Sequence, residues 1–428
     1  MISDDLNFTE IKFDKILNIS GFIFSSSFFV FDSYFAFGLN AFGCVFFENT
    51  ILNNTYVSDD FGSQCSFSNS FFAKRFSVYD CKIPNYFDLF QMNVNGIFDI
   101  TKTLIVGDIN IGRSKFESSF DAKYLEIYGR AAFDLVEFCG VSNFDNSNFG
   151  GSVSFERAQF KLDTSFVKGK FSATKKTKFC YTYFGKSMNF LNTTFQGDVS
   201  FSSARFERCA PRFHGAKLHE SIRFDDTEWP KLPHLQAWPG VRPTDGDAKP
   251  GQATSEEDKK KWELDQREAD RQTLIELVSS YQVLKQAMES QKRHSDELDF
   301  FARELAAQRA LEGAWSRRGI VNWLYKVTSN YGQSLVSPLC WLGVIILAFG
   351  VVFDGIQMAS GTPLGAIDAL GLSIKSAFGI FTFAKEASLS ANALGPLSNS
   401  LAFLEAIVGA AFLFLIGLAL RNRFRLKS

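Results

Sequence analysis

VSFERAQFKLDTSFVKGKF (153–171) and MNFLNTTFQGDVSFSSARF (188–206) place a phenylalanine at alternating intervals of five and six residues: Phe155, Phe160, Phe166 and Phe171, then Phe190, Phe195, Phe201 and Phe206. Outward from these stretches the same beat runs from about Val141 to Trp229 as eight 11-residue units. It takes in Phe144, Phe149, Phe179 and Phe184, and closes with Phe213, Leu218, Phe224 and Trp229; the interval stretches to eight after Phe171 and to seven after Phe206. Two residues before the second large residue of each unit the side chain is always small: Ser147, Ala158, Gly169, Thr182, Thr193, Ala204, Ala216 and Thr227. Self-similarity at a fixed short period marks a solenoid.

The period excludes helical arrays, which need heptads or paired helices in units of about 30 residues or more. Phe, Val and Thr favour strands, and the repeat interior is poor in helix formers. Alternation along a strand puts a small residue at i−2 and a Phe at i on the same inner face. One unit cannot bury that face alone, so neighbouring coils must stack Phe on Phe. The eight phenylalanines quoted above are therefore expected to be solenoid core, each contributing roughly 1.5–3 kcal/mol of transfer free energy.

With its small residue, Phe two positions later and two variable residues, the unit resembles the pentapeptide-repeat family; VSFERAQFKLD (153–163) and VSFSSARFERC (199–209) carry the pattern, as do GDVSF (197–201) and GDIN (107–110) at turns. The resemblance implies a right-handed quadrilateral β-helix with four short faces per coil. The extra residue in each 11 predicts coils of about 22 residues rather than 20. Residues 1–140 repeat less cleanly, yet 38 of the 49 phenylalanines fall in 1–229, and segments such as FDSYFAFGLNAFGCVFF (31–47) keep the alternation of large and small. They are expected to be diverged coils of one solenoid spanning 1–229.

The net charge of −1 gives no reason to expect nucleic acid as a partner, and residues 1–229 carry 23 Lys and Arg against 26 Asp and Glu, too mixed a surface for a mimic of DNA. Seven scattered cysteines, none in a CxxC pair, support neither a disulfide framework nor a zinc site and favour a reducing compartment. MISDDLNF (1–8) lacks the basic and apolar regions of a signal peptide. No phosphate loop or Ser-His-Asp signature occurs, GKS (185–187) lacks the upstream glycine, and the four histidines read as solenoid or helix surface. No catalytic, cofactor or metal site is expected, and the chain reads as a non-enzyme.

Trp229 and Pro230 end the pattern, and half of the ten prolines fall in 230–255, which reads as a linker. Helical periodicity follows over 256–312, with Leu277, Val278, Tyr281, Leu284 and Met288 on one face and Leu298, Phe301 and Leu305 on a second helix. An amphipathic hairpin packed on itself or on a second copy is expected. After an interfacial segment (313–334), the region 335–428 reads as transmembrane. LVSPLCWLGVIILAFGVVF (335–353) has no charge, and LAFLEAIVGAAFLFLIGLAL (401–420) has only Glu405. Seven Lys and Arg flank these two spans outside, at 317, 318, 326, 421, 423, 425 and 427, against Lys375 and Lys385 in the loop between them. Both termini are thus expected in the cytoplasm of an inner-membrane protein.

The intervening 364–388 is apolar but carries Asp368 and Lys375, and suits a re-entrant or interfacial helix. Span, half-helix and span resemble the two-helix pore module of the ion-channel superfamily, with SAFGIFTF (376–383) in the pore-helix position and Glu405 and Gly409 on the inner helix. No TVGYG-like filter follows Thr382. Lys375, Thr382, Glu405 and Gly409 are the pore or coupling residues this resemblance implies, and Glu405 lies about one turn inside its span, within reach of interfacial water. Gly343, Gly409 and Gly417 offer surfaces for close span packing. The pairing of repeats and tail resembles a group of bacterial membrane proteins. Two functions follow: a membrane-tethered solenoid that docks a cytoplasmic protein or senses a signal, and, as the alternative, an oligomeric pore regulated by the solenoid. Membrane lipid and further copies of the chain are the other expected partners.

Overall fold

The structure, a computed structural model, describes residues 1–58, 63–172, 175–230, 256–313, 316–359, 365–378 and 396–425, without the side chains of 256–270, 396 and 425. It divides into two units, Met1–Ala287 and Met288–Ser428. In the first, 36 short strands form four parallel sheets of nine strands each over residues 6–206, a four-faced β-solenoid of about nine turns. The first face begins with Leu6–Thr9 and Phe28–Phe31, the second with Lys12–Phe13 and Tyr34–Phe35, the third with Leu17–Asn18 and Gly38–Asn40, and the fourth with Ile23–Phe24 and Val45–Phe46. Pairing advances 22 residues per turn, as from Phe116 to Phe138 to Phe160. It lengthens to 24 from Phe160 to Phe184 and to 26 from Phe46 to Phe72. Residues 1–140 share this register from the start, Leu6 lying opposite Phe28.

The interior is a set of aromatic columns. Phe138, Phe160, Phe184 and Phe206 stack at 4.6, 5.4 and 4.9 Å between ring centres, and Trp229 continues the column at 5.4 Å. Phe133, Phe155, Phe179, Phe201 and Phe224 form a second, at 4.6 to 5.2 Å. Parallel strands about 4.8 Å apart bring identical side chains into this spacing. The small position has its own logic: Thr182 Oγ1 donates to Phe155 O, Thr193 Oγ1 to Phe166 O and Ser147 Oγ to Ala122 O, each at 2.7 Å. Each hydroxyl thus finds an acceptor in a carbonyl of the preceding coil, so Ser and Thr are tolerated at this buried position because their own polar group is satisfied. Cys44 and Cys81 hold the same position, their thiols donating to Ile19 O and Leu52 O.

Every second corner is a tight turn. Ala158 N donates to Phe155 O, and Arg157 between them has φ +58°. Tyr124, Leu135, Asn146 and Lys168 repeat this left-handed conformation at 11-residue intervals. It costs a non-glycine residue roughly 1–2 kcal/mol. The corner holds because its own N–H is committed to the next coil: Leu135 N to Glu156 O at 2.9 Å and Arg157 N to Cys180 O at 3.0 Å.

Helix α1 (Glu256–Ser290) closes this unit. Leu277, Tyr281 and Leu284 are buried, Phe213 N donates to Ser280 Oγ at 3.1 Å, and Arg212 approaches Glu276 at 3.9 Å. The apolar side of α1 thus meets the last coil of the solenoid, where the sequence suggested a hairpin partner or a second copy. Periodicity shows that a helix has an apolar face but carries no record of what covers it.

The second unit contains α2 (His294–Glu312), α3 (Arg317–Ser329), α4 (Val336–Ala359), α5 (Ala366–Ala377) and α6 (Pro396–Arg425). By length and composition α4 and the Leu397–Phe424 stretch of α6 suffice to cross a membrane. Both exceed the spans read from hydropathy, because α4 continues through Asp354, Gly355 and Gln357 and α6 through flanking Ser, Asn and Arg residues. Of the linker expected over 230–255, all but Pro230 lies outside the described residues.

Candidate functional site

Two places in the chain carry more than packing. The first is on the outside of the solenoid. FFVF (28–31), VFF (45–47) and FF (71–72) contain consecutive apolar residues where the repeat needs one, so alternation turns every second one outward. On the fourth face Ile23, Val45 and Phe71 are successive outward neighbours. Phe22, Phe42 and Phe47 stand near them at its corners, 45 %, 50 % and 46 % exposed. Around the corner at Phe47 the first face turns Phe29, Phe31 and Ile51 outward, with Phe29 and Phe31 stacked at 5.8 Å.

From the fourth turn the outward chemistry changes on both faces. The fourth face continues with Asn93, Lys115, Glu137 and Gln159, and the first with Ser77, Asp99, Asp121 and Asn143. At these strand positions the apolar surface is thus a patch of the early coils, and further along single apolar residues such as Ile97, Leu135 and Val141 are exposed at corners. Sequence reading took residues 1–140 as diverged coils without sorting their phenylalanines into core and surface; consecutive Phe in or beside a short strand is the signal that separates inward from outward.

The second place lies among α4, α5 and α6. Helix α5, 12 residues and about 18 Å long, is too short to cross a bilayer and packs against both longer helices. Phe353, Ala369, Leu372 and Ala402 form one buried cluster, and Leu342, Ala377 and Phe412 another. Gly409 is what lets α6 approach: a Cβ there would sit 2.1 Å from Ala377 O. Glu405, one turn earlier, has no exposed surface. Ser373 Oγ contacts both Glu405 Oε1 and, at 2.8 Å, Ile346 O, which ties the three helices together. Among the described residues Glu405 Oε2 has no hydrogen-bond partner.

Of the residues implied by the pore resemblance, the structure brings Glu405 and Gly409 to this contact and leaves Lys375 exposed on α5. Thr382 lies outside the described residues. Glu405 is not near a helix end: α6 begins at Pro396, nine residues before it, and its carboxylate is enclosed among α4, α5 and α6. Helix α5 occupies 366–377 and takes in the first two residues of SAFGIFTF (376–383), with Phe378 as its C-cap; 379–383 lie outside the described residues. A Cβ at Gly343 or Gly417 would meet no other part of the described residues within 4 Å, unlike one at Gly409. The solenoid set Phe155, Phe160, Phe166, Phe171, Phe190, Phe195, Phe201 and Phe206 is at most 2 % exposed throughout.

The fold defines the chain as a parallel β-solenoid with a 22-residue turn, joined to helices of which two are long and apolar enough to cross a membrane. Compared with known proteins, it matches no family model, no curated protein and no solved structure.

Proposed function

We propose that this is a non-enzymatic, membrane-anchored docking protein of the pentapeptide-repeat type, holding its solenoid in the cytoplasm and both termini on that side of the inner membrane. One observation carries the docking reading: outward Phe, Ile and Val cluster on two adjoining faces of the early coils, where the next four coils turn Asn, Lys, Glu and Gln outward on one face and Ser, Asp and Asn on the other. Exposed contiguous apolar surface of this kind marks interaction sites on soluble domains, and aromatic residues are the usual anchors. The partner is a cytoplasmic protein whose apolar side chains fit between Phe22, Phe42, Phe47 and Phe29.

The enclosure of Glu405 favours an anchor over a pore. Within one chain its carboxylate is covered by α5 and bonded to Ser373, so it lines no water-filled path in this arrangement. The test is photocrosslinking in intact cells from a reactive side chain at position 47 or 71, with position 159 on the same face as control. Discrete adducts from 47 and 71 alone support docking. Equal yields at all three positions, or none, would overturn it.

A further inference from the structure

We infer that the cleft at the shared ends of α4 and α6 binds the headgroup of an ethanolamine phospholipid. The cleft measures about 360 Å³ and joins three segments: the first turns of α2 (Ser295, Leu298, Asp299), the residues leading into α4 (Gln333, Leu335) and the last turns of α6 (Ala419, Asn422, Arg423). It contains one carboxylate and one guanidinium. Neither takes part in an ion pair among the described residues. Its acidic neighbours on α2 are already engaged, Asp296 with Arg293 at 2.5 Å and Glu297 with His294 at 3.1 Å.

The walls are held in place. Gln333 Nε2 donates to Asp299 Oδ1 at 3.3 Å, and Asn422, buried, donates from Nδ2 to Gly332 O at 3.1 Å. A cleft with one unpaired charge of each sign complements a zwitterion rather than a simple anion, because a phosphate alone would face Asp299 unfavourably. In an ethanolamine headgroup the phosphate meets Arg423, and the primary ammonium, with three donors, meets Asp299 and Ser295. Leu298, Leu335 and Ala419 supply the apolar side, and exposed Val336 and Leu339 on α4 offer the acyl chains a surface. The position at span ends is where a bilayer presents headgroups. This inference rests on the reading that α4 and α6 cross the membrane.

Three forms of the full-length protein serve as probes: unaltered, Asp299→Asn and Arg423→Gln. Each is presented in detergent with equal amounts of phosphatidylethanolamine and phosphatidylcholine of the same acyl chains, and retained lipid is read by native mass spectrometry. The unaltered protein should keep the ethanolamine lipid about fivefold over the choline lipid, whose quaternary nitrogen donates no hydrogen bond. Asp299→Asn should bring that ratio to about one, and Arg423→Gln should reduce retention of both. Equal retention by the unaltered protein, or an unchanged ratio in Asp299→Asn, would overturn the site. Displacement of the lipid by equimolar soluble glycerophosphoethanolamine would overturn the membrane as its source. Alkaline carbonate extraction separates the two levels: a chain released from membranes refutes both spans and site, whereas a retained chain without headgroup preference refutes the site alone.

Discussion

Replacing Phe160 with alanine tests the column model most directly. Its ring lies between Phe138 at 4.6 Å and Phe184 at 5.4 Å, nearly parallel to both, with Phe155 beside it at 5.8 Å and no exposed surface. The lost transfer free energy alone is roughly 2–3 kcal/mol. The cavity adds a comparable amount, because the backbone on either side is fixed by parallel pairing of Gln159–Phe160 with Glu137–Phe138 and Tyr183–Phe184 and cannot collapse inward. The expected cost is about 4 kcal/mol. Urea unfolding of the full-length protein in detergent micelles, followed by far-ultraviolet circular dichroism, reads it, with Phe47→Ala as an outward control costing about 1 kcal/mol or less. Losses of similar size for both variants, or a Phe160→Ala cost below about 1 kcal/mol, would refute a continuous aromatic core.

Leu135, exposed at a corner with φ +60°, should gain from glycine: relief of roughly 1–2 kcal/mol of left-handed strain exceeds the roughly 0.5–1 kcal/mol entropy penalty, and the unfolding midpoint should rise slightly. Gly409→Ala should lower the thermal midpoint by an amount corresponding to about 1–3 kcal/mol because its Cβ meets Ala377 O, whereas Gly417→Ala, with nothing within 4 Å, should be neutral or mildly stabilising; equal effects would mean α5 is not docked on α6. Burial pushes the thiols of Cys81 up to about 12 and of Cys209 up to about 11. The unfolded thiols ionise near their ordinary value of about 8.5, so above that pH the unfolded state releases protons first. Solenoid stability from these groups is complete below about pH 8.5 and falls as pH rises through 11 and 12. A Cys81→Ser, Cys209→Ser protein should show a shallower alkaline decline in its urea midpoint.

The sequence by itself determined what depends on period. The five-and-six beat set the strand positions, the inner face and the 22-residue turn, since stacking Phe on Phe every 4.8 Å or so is the only way such a chain buries its rings. Hydropathy alone likewise located two helices able to cross a membrane, and charge broke the segment between them. Tertiary structure decided which surfaces meet. Doubled phenylalanines divide into core and patch only once each strand's two sides are fixed by its neighbours, as at Phe46 and Phe47. The apolar side of α1 found the last coil, Glu405 was enclosed by Ser373 across 32 residues of chain, and Asp299 and Arg423 came to line one cleft from helices more than a hundred residues apart. A local pattern records that a residue must be buried or solvated, while its partner is set by how whole elements pack, and that information is distributed over the chain.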